Sequence, residues 1–170
     1  MNDDQELNVC RQYLELQAGM PHLPSRLMLL MSRPWRAQAL PAGFSRGEPR
    51  QCFKNSSWLA IEHRSLTYVE GYACPDGLIP IQHGWCVDEA GNVIDVTLGS
   101  PETTHYFGIP VSTRFLQNFL DTATYYGIFG EMVEPRRYIE VLDDLQAGRW
   151  QIPADVDSEI RALLTPYTAG

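Results

Sequence analysis

The sequence predicts an α+β fold: helices, then an antiparallel meander of short strands, then helices again. Three patterns carry that reading. Apolar residues at Leu7, Val9, Cys10, Tyr13, Leu14, Leu16 and Ala18 form a helical stripe rather than an alternation. Between Leu66 and Val111, runs rich in strand formers are separated by turn residues. From Ser112 onward helical stripes return.

In order, the first helix is expected over 7–18 and ends at Gly19 and the Pro21/Pro24 pair. Residues 21–50 hold Pro21, Pro24, Pro34, Pro41 and Pro49 with Gly43 and Gly47, too much punctuation for a long element. A short helix or strand fits inside at 26–32, and the rest reads as a connection or as one wall of a cleft. Helical character returns over 51–62, with Phe53, Trp58, Leu59, Ala60 and Ile61 as its buried face. Strands follow at 66–73, 79–87, 92–98 and 105–111. Pro75-Asp76-Gly77 turns the chain between the first two, and Asp88 to Asn92 closes a hairpin between the next two. Ser112 is placed to cap a helix running to about 126. Pro135 opens another helix over 135–147, and a last one is expected over 158–164.

A chain of 170 residues is most simply one domain, 1–170, able to bury roughly two thirds of its unfolded surface. No apolar run approaches the roughly 20 residues that span a bilayer, and the acidic start M-N-D-D-Q-E-L is unlike a secretory signal. The expectation is a cytoplasmic protein. A formal charge of -8 disfavours nucleic acid as a partner, because such affinity comes from Lys and Arg on phosphates.

The chemistry concentrates between Gln51 and Thr97. Cys52 opens a helix, His83 lies on the second strand of the meander and Asp95 on the third. A helix start lowers a thiol's pKa, and so does a nearby imidazole. If the hairpin loop centres on Ala90 with three or five residues, Trp85 stands opposite Asp95. His83 and Asp95 are then diagonal neighbours on one face. A two- or four-residue loop would send them to opposite faces. On the favourable register, Cys52 is the nucleophile, His83 the base and Asp95 its orienter. Gln51, Asn55 and Trp85 are candidates for oxyanion or supporting contacts. His63 and His105 are rival bases; His63 stands too far along the same helix, and His105 has no comparably placed carboxylate.

C-x-x-x-S on a helix, Y-V-E-G-Y, H-G-W-C-V-D, a glycine turn and V-I-D-V-T together resemble the core of the transglutaminase-like superfamily. The resemblance covers roughly the middle third of the chain, within 48–111. It implies a papain/transglutaminase-like fold: a helix bearing the nucleophilic Cys packed on an antiparallel sheet, with helices C-terminal to it. It carries the three roles over to Cys52, His83 and Asp95. Arg50, Phe53, Gly84 and Val96 stand where Gly, Trp, Ala and Pro are common in that superfamily. Asn55 echoes an Asn found three residues after the Cys in arylamine N-acetyltransferases.

The expected function is a cysteine hydrolase or acyltransferase acting on an amide, ester or thioester carbonyl, with a protein, a peptide or a small amide or ester as substrate. No cofactor is called for. The rival of a different class is a catalytically inactive domain used to bind proteins. A zinc site from Cys52, Cys74, His83 and Cys86 is the other alternative, but the usual C-x-x-C knuckle is missing and the spacing is irregular.

Overall fold

Of the 170 residues, the computed structural model describes 9–19, 22–129 and 134–168. Helices α1 (Val9–Ala18) and α2 (Leu23–Met31) pack together and bury Cys10, Leu14, Leu27, Met28 and Met31. Pro24 does not stop a helix here; it sits in the first turn of α2, where a missing N–H costs nothing. The first two residues of the expected 7–18 helix lie outside the described residues, as does Pro21.

Five strands form one antiparallel sheet in the order β1-β5-β2-β3-β4: β1 (Arg33–Trp35), β2 (Thr67–Pro75), β3 (Ile81–Val87), β4 (Val93–Ile94) and β5 (Thr104–Val111). The class is α+β, as the meander predicts. Strand β1 was not expected, and it pairs with β5. Just past it, Arg36 bridges Asn92, and its carbonyl accepts from the Val93 N–H at 2.9 Å. The sheet therefore curls until its two outer strands approach. Inside the curl lie Trp35, Val69, Ala73, Trp85, Val87, Val93 and Tyr106. The opposite face, including Tyr68, Cys74, Cys86 and Ile109, packs on the helices in a larger core.

The expected strand over 92–98 shrinks to two residues. Asp95 turns its carboxylate back on its own chain, accepting from the N–H of Thr97 at 2.8 Å and of Leu98 at 3.1 Å. A side chain that satisfies the next backbone donors competes with the sheet ladder.

Helix α3 (Cys52–Glu62) lies against β3 and α4 (Thr113–Leu120) follows β5. Ser112 caps α4 as expected, its Oγ accepting from Phe115 N–H at 3.0 Å. The helix ends at Leu120 rather than near 126, because the chain must bend to bring Ile128 and Phe129 to Glu70. Helix α5 (Pro135–Ala147) matches its expected bounds, and α6 (Ala154–Thr168) runs past the expected 158–164 with Pro166 inside it. Among the described residues no helix is long and apolar enough to cross a membrane.

Candidate active site

The site begins with the way the chain enters α3. Gln51 is the N-cap residue, and before it Arg50 has φ 63, the one non-glycine residue at positive φ among those described. Glycine takes that conformation freely; an Arg there stores about 1 kcal/mol or more. The turn delivers Cys52 to the first position of α3, where its own N–H has no helical acceptor.

Glycine at 84 lets α3 approach β3 closely. A Cβ on Gly84 would stand 3.0 Å from Phe53 Cδ1 and 3.3 Å from Phe53 Cα. Ser56 Oγ donates to the Gly84 carbonyl at 2.8 Å, and Cys86 Sγ donates to the Ser56 carbonyl at 3.2 Å. The Gly84 N–H points to the Cys52 sulfur. Helix and strand are thus stitched together at Cys52.

Across β3, His83 lies on the inner face of the sheet. The Asp88–Asn92 loop has five residues, with Val87 opposite Val93 and Cys86 opposite Ile94. Asp88 organises it: its carboxylate accepts from Ala90 N–H and Asn92 N–H, both at 2.9 Å, while Gly91 adopts φ 82. Continued by one residue, that register sets Asp95 opposite Trp85 and diagonal to His83. His83 Nε2 and Asp95 Oδ2 are 2.8 Å apart. The pair is shut off from water, with His83 2% and Asp95 0% exposed.

With Nε2 held by Asp95, Nδ1 is the nitrogen His83 has for Cys52. Burial alone would raise the Cys52 thiol pKa, but the side-chain hydrogen bond from His83, its charge and the N–H groups of Gly84 and Phe53 outweigh that and lower it. Burial alone would lower His83; its hydrogen bonds to Asp95 and Cys52, with their charges, push it up to about 9. Asp95 is held below the usual carboxylate range. Its burial is outweighed by His83, by the Thr97 N–H and by the Tyr106 hydroxyl. All three shifts favour a thiolate beside an imidazolium.

The supporting candidates take different places. Trp85 is fully buried and stacks on His83, ring centroids 6.2 Å apart at 15°, forming an apolar wall behind the imidazole. Gln51 is exposed and its side chain makes no cap hydrogen bond. Asn55 is not aimed at an oxyanion. Its Nδ2 donates to the Glu48 carbonyl at 2.8 Å and to Thr97 Oγ1 at 3.0 Å, tying the 46–51 loop to the segment after Asp95. His63 ends α3 and packs on Phe44, while His105 lies on β5. Cys86 bonds into α3 and Cys74 donates to the Leu78 carbonyl at 3.0 Å; among the described residues no three His, Cys, Asp or Glu converge as metal ligands.

Two contributors are not among the candidates singled out from the sequence. Tyr106, from β5, donates to Asp95 Oδ2 at 2.8 Å. Glu70, buried on β2, accepts from Tyr68 Oη at 2.8 Å, Ile128 N–H at 2.6 Å and Phe129 N–H at 2.7 Å. It thereby clamps the 127–129 segment, and Gly127 lies 3.6 Å from the Phe53 ring measured from its ideal Cβ.

No family model, curated protein or solved structure matches this chain.

Proposed function

We propose that the protein is a cysteine-nucleophile hydrolase or acyltransferase of papain/transglutaminase-like fold, working on an amide, ester or thioester carbonyl. The observation that carries this is the chain of contacts from Cys52 through His83 to Asp95, with the thiol pKa lowered and the imidazole pKa raised. A structural cysteine has no use for either shift.

In the first half-reaction the Cys52 thiolate adds to the carbonyl carbon, and the C=O electron pair moves to oxygen. On this reading the Cys52 N–H at the start of α3 receives that oxyanion, and the exposed Gln51 side chain is the second donor. The His83 imidazolium gives its proton to the leaving amine, alcohol or thiol as the C–N, C–O or C–S bond breaks, leaving an acyl-Cys52. In the second, neutral His83 takes a proton from water or an acceptor amine attacking the thioester. Collapse of that adduct expels Cys52 thiolate. Asp95 holds the imidazole in the required tautomer throughout, and Tyr106 and the Thr97 N–H hold Asp95.

The substrate on this reading is a peptide, a protein or a small amide or ester, not a nucleic acid, in keeping with the charge of -8. No disulfide joins Cys10, Cys52, Cys74 and Cys86, which suits a reducing, cytoplasmic setting.

p-Nitrophenyl acetate with intact-mass and peptide analysis tests the reaction class. An acetyl group on Cys52, absent from Cys52→Ala, is the expected result. Acetylation spread evenly over the four cysteines, or none, would overturn the proposal.

A further inference from the structure

A cavity of about 490 Å³ opens on the helix-facing side of the sheet, the face opposite His83. Its volume falls within the roughly 300–1,000 Å³ of small-molecule sites. Two aromatic pairs bound it. Tyr13 of α1 meets Tyr72 of β2 with ring centroids 5.6 Å apart, and Phe129 meets Tyr138 of α5 at 5.7 Å. Glu70 also lines the cavity and is only 3% exposed, whereas Gln82 and His22 are exposed and mark the mouth. Among the described residues no Lys or Arg lines it.

The polar groups of the wall differ in what they still need. Ser25 Oγ donates to Gln17 Oε1 at 3.0 Å and so accepts from His22 Nδ1 at 2.7 Å, which leaves those three serving one another. Glu70 is different. Its oxygens accept three hydrogen bonds, but among the described residues no cation pairs with its charge. Burial pushes its pKa up in spite of the three donors, as happens to a carboxylate whose charge lacks a counter-ion. Tyr138 is 1% exposed, lies close enough to Glu70 to be affected by its charge, and makes no hydrogen bond through its hydroxyl among the described residues.

An ammonium with N–H groups needs oxygen acceptors, and the Glu70 oxygens are largely taken. A quaternary ammonium needs only a negative charge and the π faces of aromatic rings, and the cavity offers both. An anion would meet Glu70 with no counter-charge beside it. The formal charge of -8 on the chain favours the approach of cations as well.

We infer that this cavity binds a small organic cation carrying a quaternary ammonium, its charge beside Glu70 and its methyl groups against the rings of Tyr13, Tyr72, Phe129 and Tyr138. The Tyr138 hydroxyl is left to hydrogen-bond a polar group of the ligand. Such a cation has no N–H to acylate, so the site is separate from the chemistry proposed for Cys52 and stands whether or not that chemistry does.

The test is calorimetric titration of the full chain with choline and with 3,3-dimethylbutan-1-ol, its uncharged isostere, in wild type, Tyr13→Leu and Glu70→Gln. Choline should bind wild type at least about tenfold more tightly than the alcohol, since a desolvated cation over aromatic faces gains on the order of that factor. Tyr13→Leu and Glu70→Gln should each remove most of the preference. Equal binding of the two ligands, or no binding of choline at millimolar concentration, overturns the inference. So does a preference that survives both substitutions, which would assign the cation to the acidic surface at large. The wild-type comparison stands even if Glu70→Gln does not fold, and Tyr13, only half-buried, is the gentler change.

Discussion

His83 Nε2 meets Asp95 Oδ2 at 2.8 Å, in a place where both side chains are almost wholly removed from water. A buried charge pair of this kind is strongly destabilised when one partner goes, because the other is left unpaired. Asp95→Ala is expected to cost about 3 kcal/mol at pH 7 by urea denaturation. The folded-state pKa of Asp95 is depressed below its ordinary 3.8. Its contribution is therefore present above that value and lost as pH falls through the lower folded one. The gap between wild type and variant should narrow below about pH 4; an equal gap at pH 3 and pH 7 would show that charge is not the source.

Arg50 offers a test of the turn that presents Cys52. Its φ of 63 suits Gly and strongly disfavours a β-branched residue. Arg50→Gly should change stability by less than about 1 kcal/mol, relief of strain offsetting the greater freedom of the unfolded chain. Arg50→Val should lose about 2 kcal/mol and slow Cys52 alkylation. Matching thermal midpoints for the two variants would argue that the turn is not strained.

Much of this site was legible because its decisive step is local. Asp88, Gly91 and Asn92 set a five-residue loop, and that loop alone puts His83 and Asp95 on one face. What stayed hidden depends on distant partners. Strand β1 is three residues long, carries Pro34 and exists only because β5 accepts it. Tyr106 and Glu70 look like ordinary strand residues until Asp95 and the Ile128–Phe129 amides arrive beside them. The strand expected through residue 98 failed on a local rule that was there to be read: an Asp can satisfy the N–H groups just after it.

Gly84 should resist substitution although Ala is common at this place in the superfamily that the motif resembles. A Cβ there would meet Phe53 Cδ1 at 3.0 Å, Tyr68 Oη at 3.2 Å and the backbone of α3 at 3.3 Å. Gly84→Ala is expected to cost about 1–2 kcal/mol by overpacking and to shift the start of α3 away from the Gly84 N–H. Thermal denaturation reads the first effect, and slower iodoacetamide labelling of Cys52 the second. Wild-type stability and reactivity would mean that α3 is less closely seated.

Glu70 satisfies three donors at once, two of them backbone N–H groups that no other described residue serves. Glu70→Ala should therefore cost about 3 kcal/mol or more, since each buried donor left unpaired costs about 1–3 kcal/mol. Glu70→Gln keeps one acceptor oxygen and should fall between the two. Limited proteolysis should show new cleavage near Ile128 in the alanine variant. An alanine variant as stable as wild type would mean that the clamp contributes nothing.

On the proposed mechanism His83 keeps Cys52 ionised at a pH where the other three thiols are not. The Cys52 thiol is lowered from the ordinary 9.0, so its thiolate persists as pH falls below that value. Burial, aided by the charge of Cys74, pushes Cys10 up to about 12; burial and nearby carboxylates also raise Cys74 and Cys86. Iodoacetamide labelling near pH 6, resolved by cysteine, is the most direct measurement. Cys52 should be labelled at least about tenfold ahead of Cys10, Cys74 and Cys86, with the lead lost in His83→Ala. Equal, slow labelling of all four, or a lead that survives His83→Ala, would contradict it.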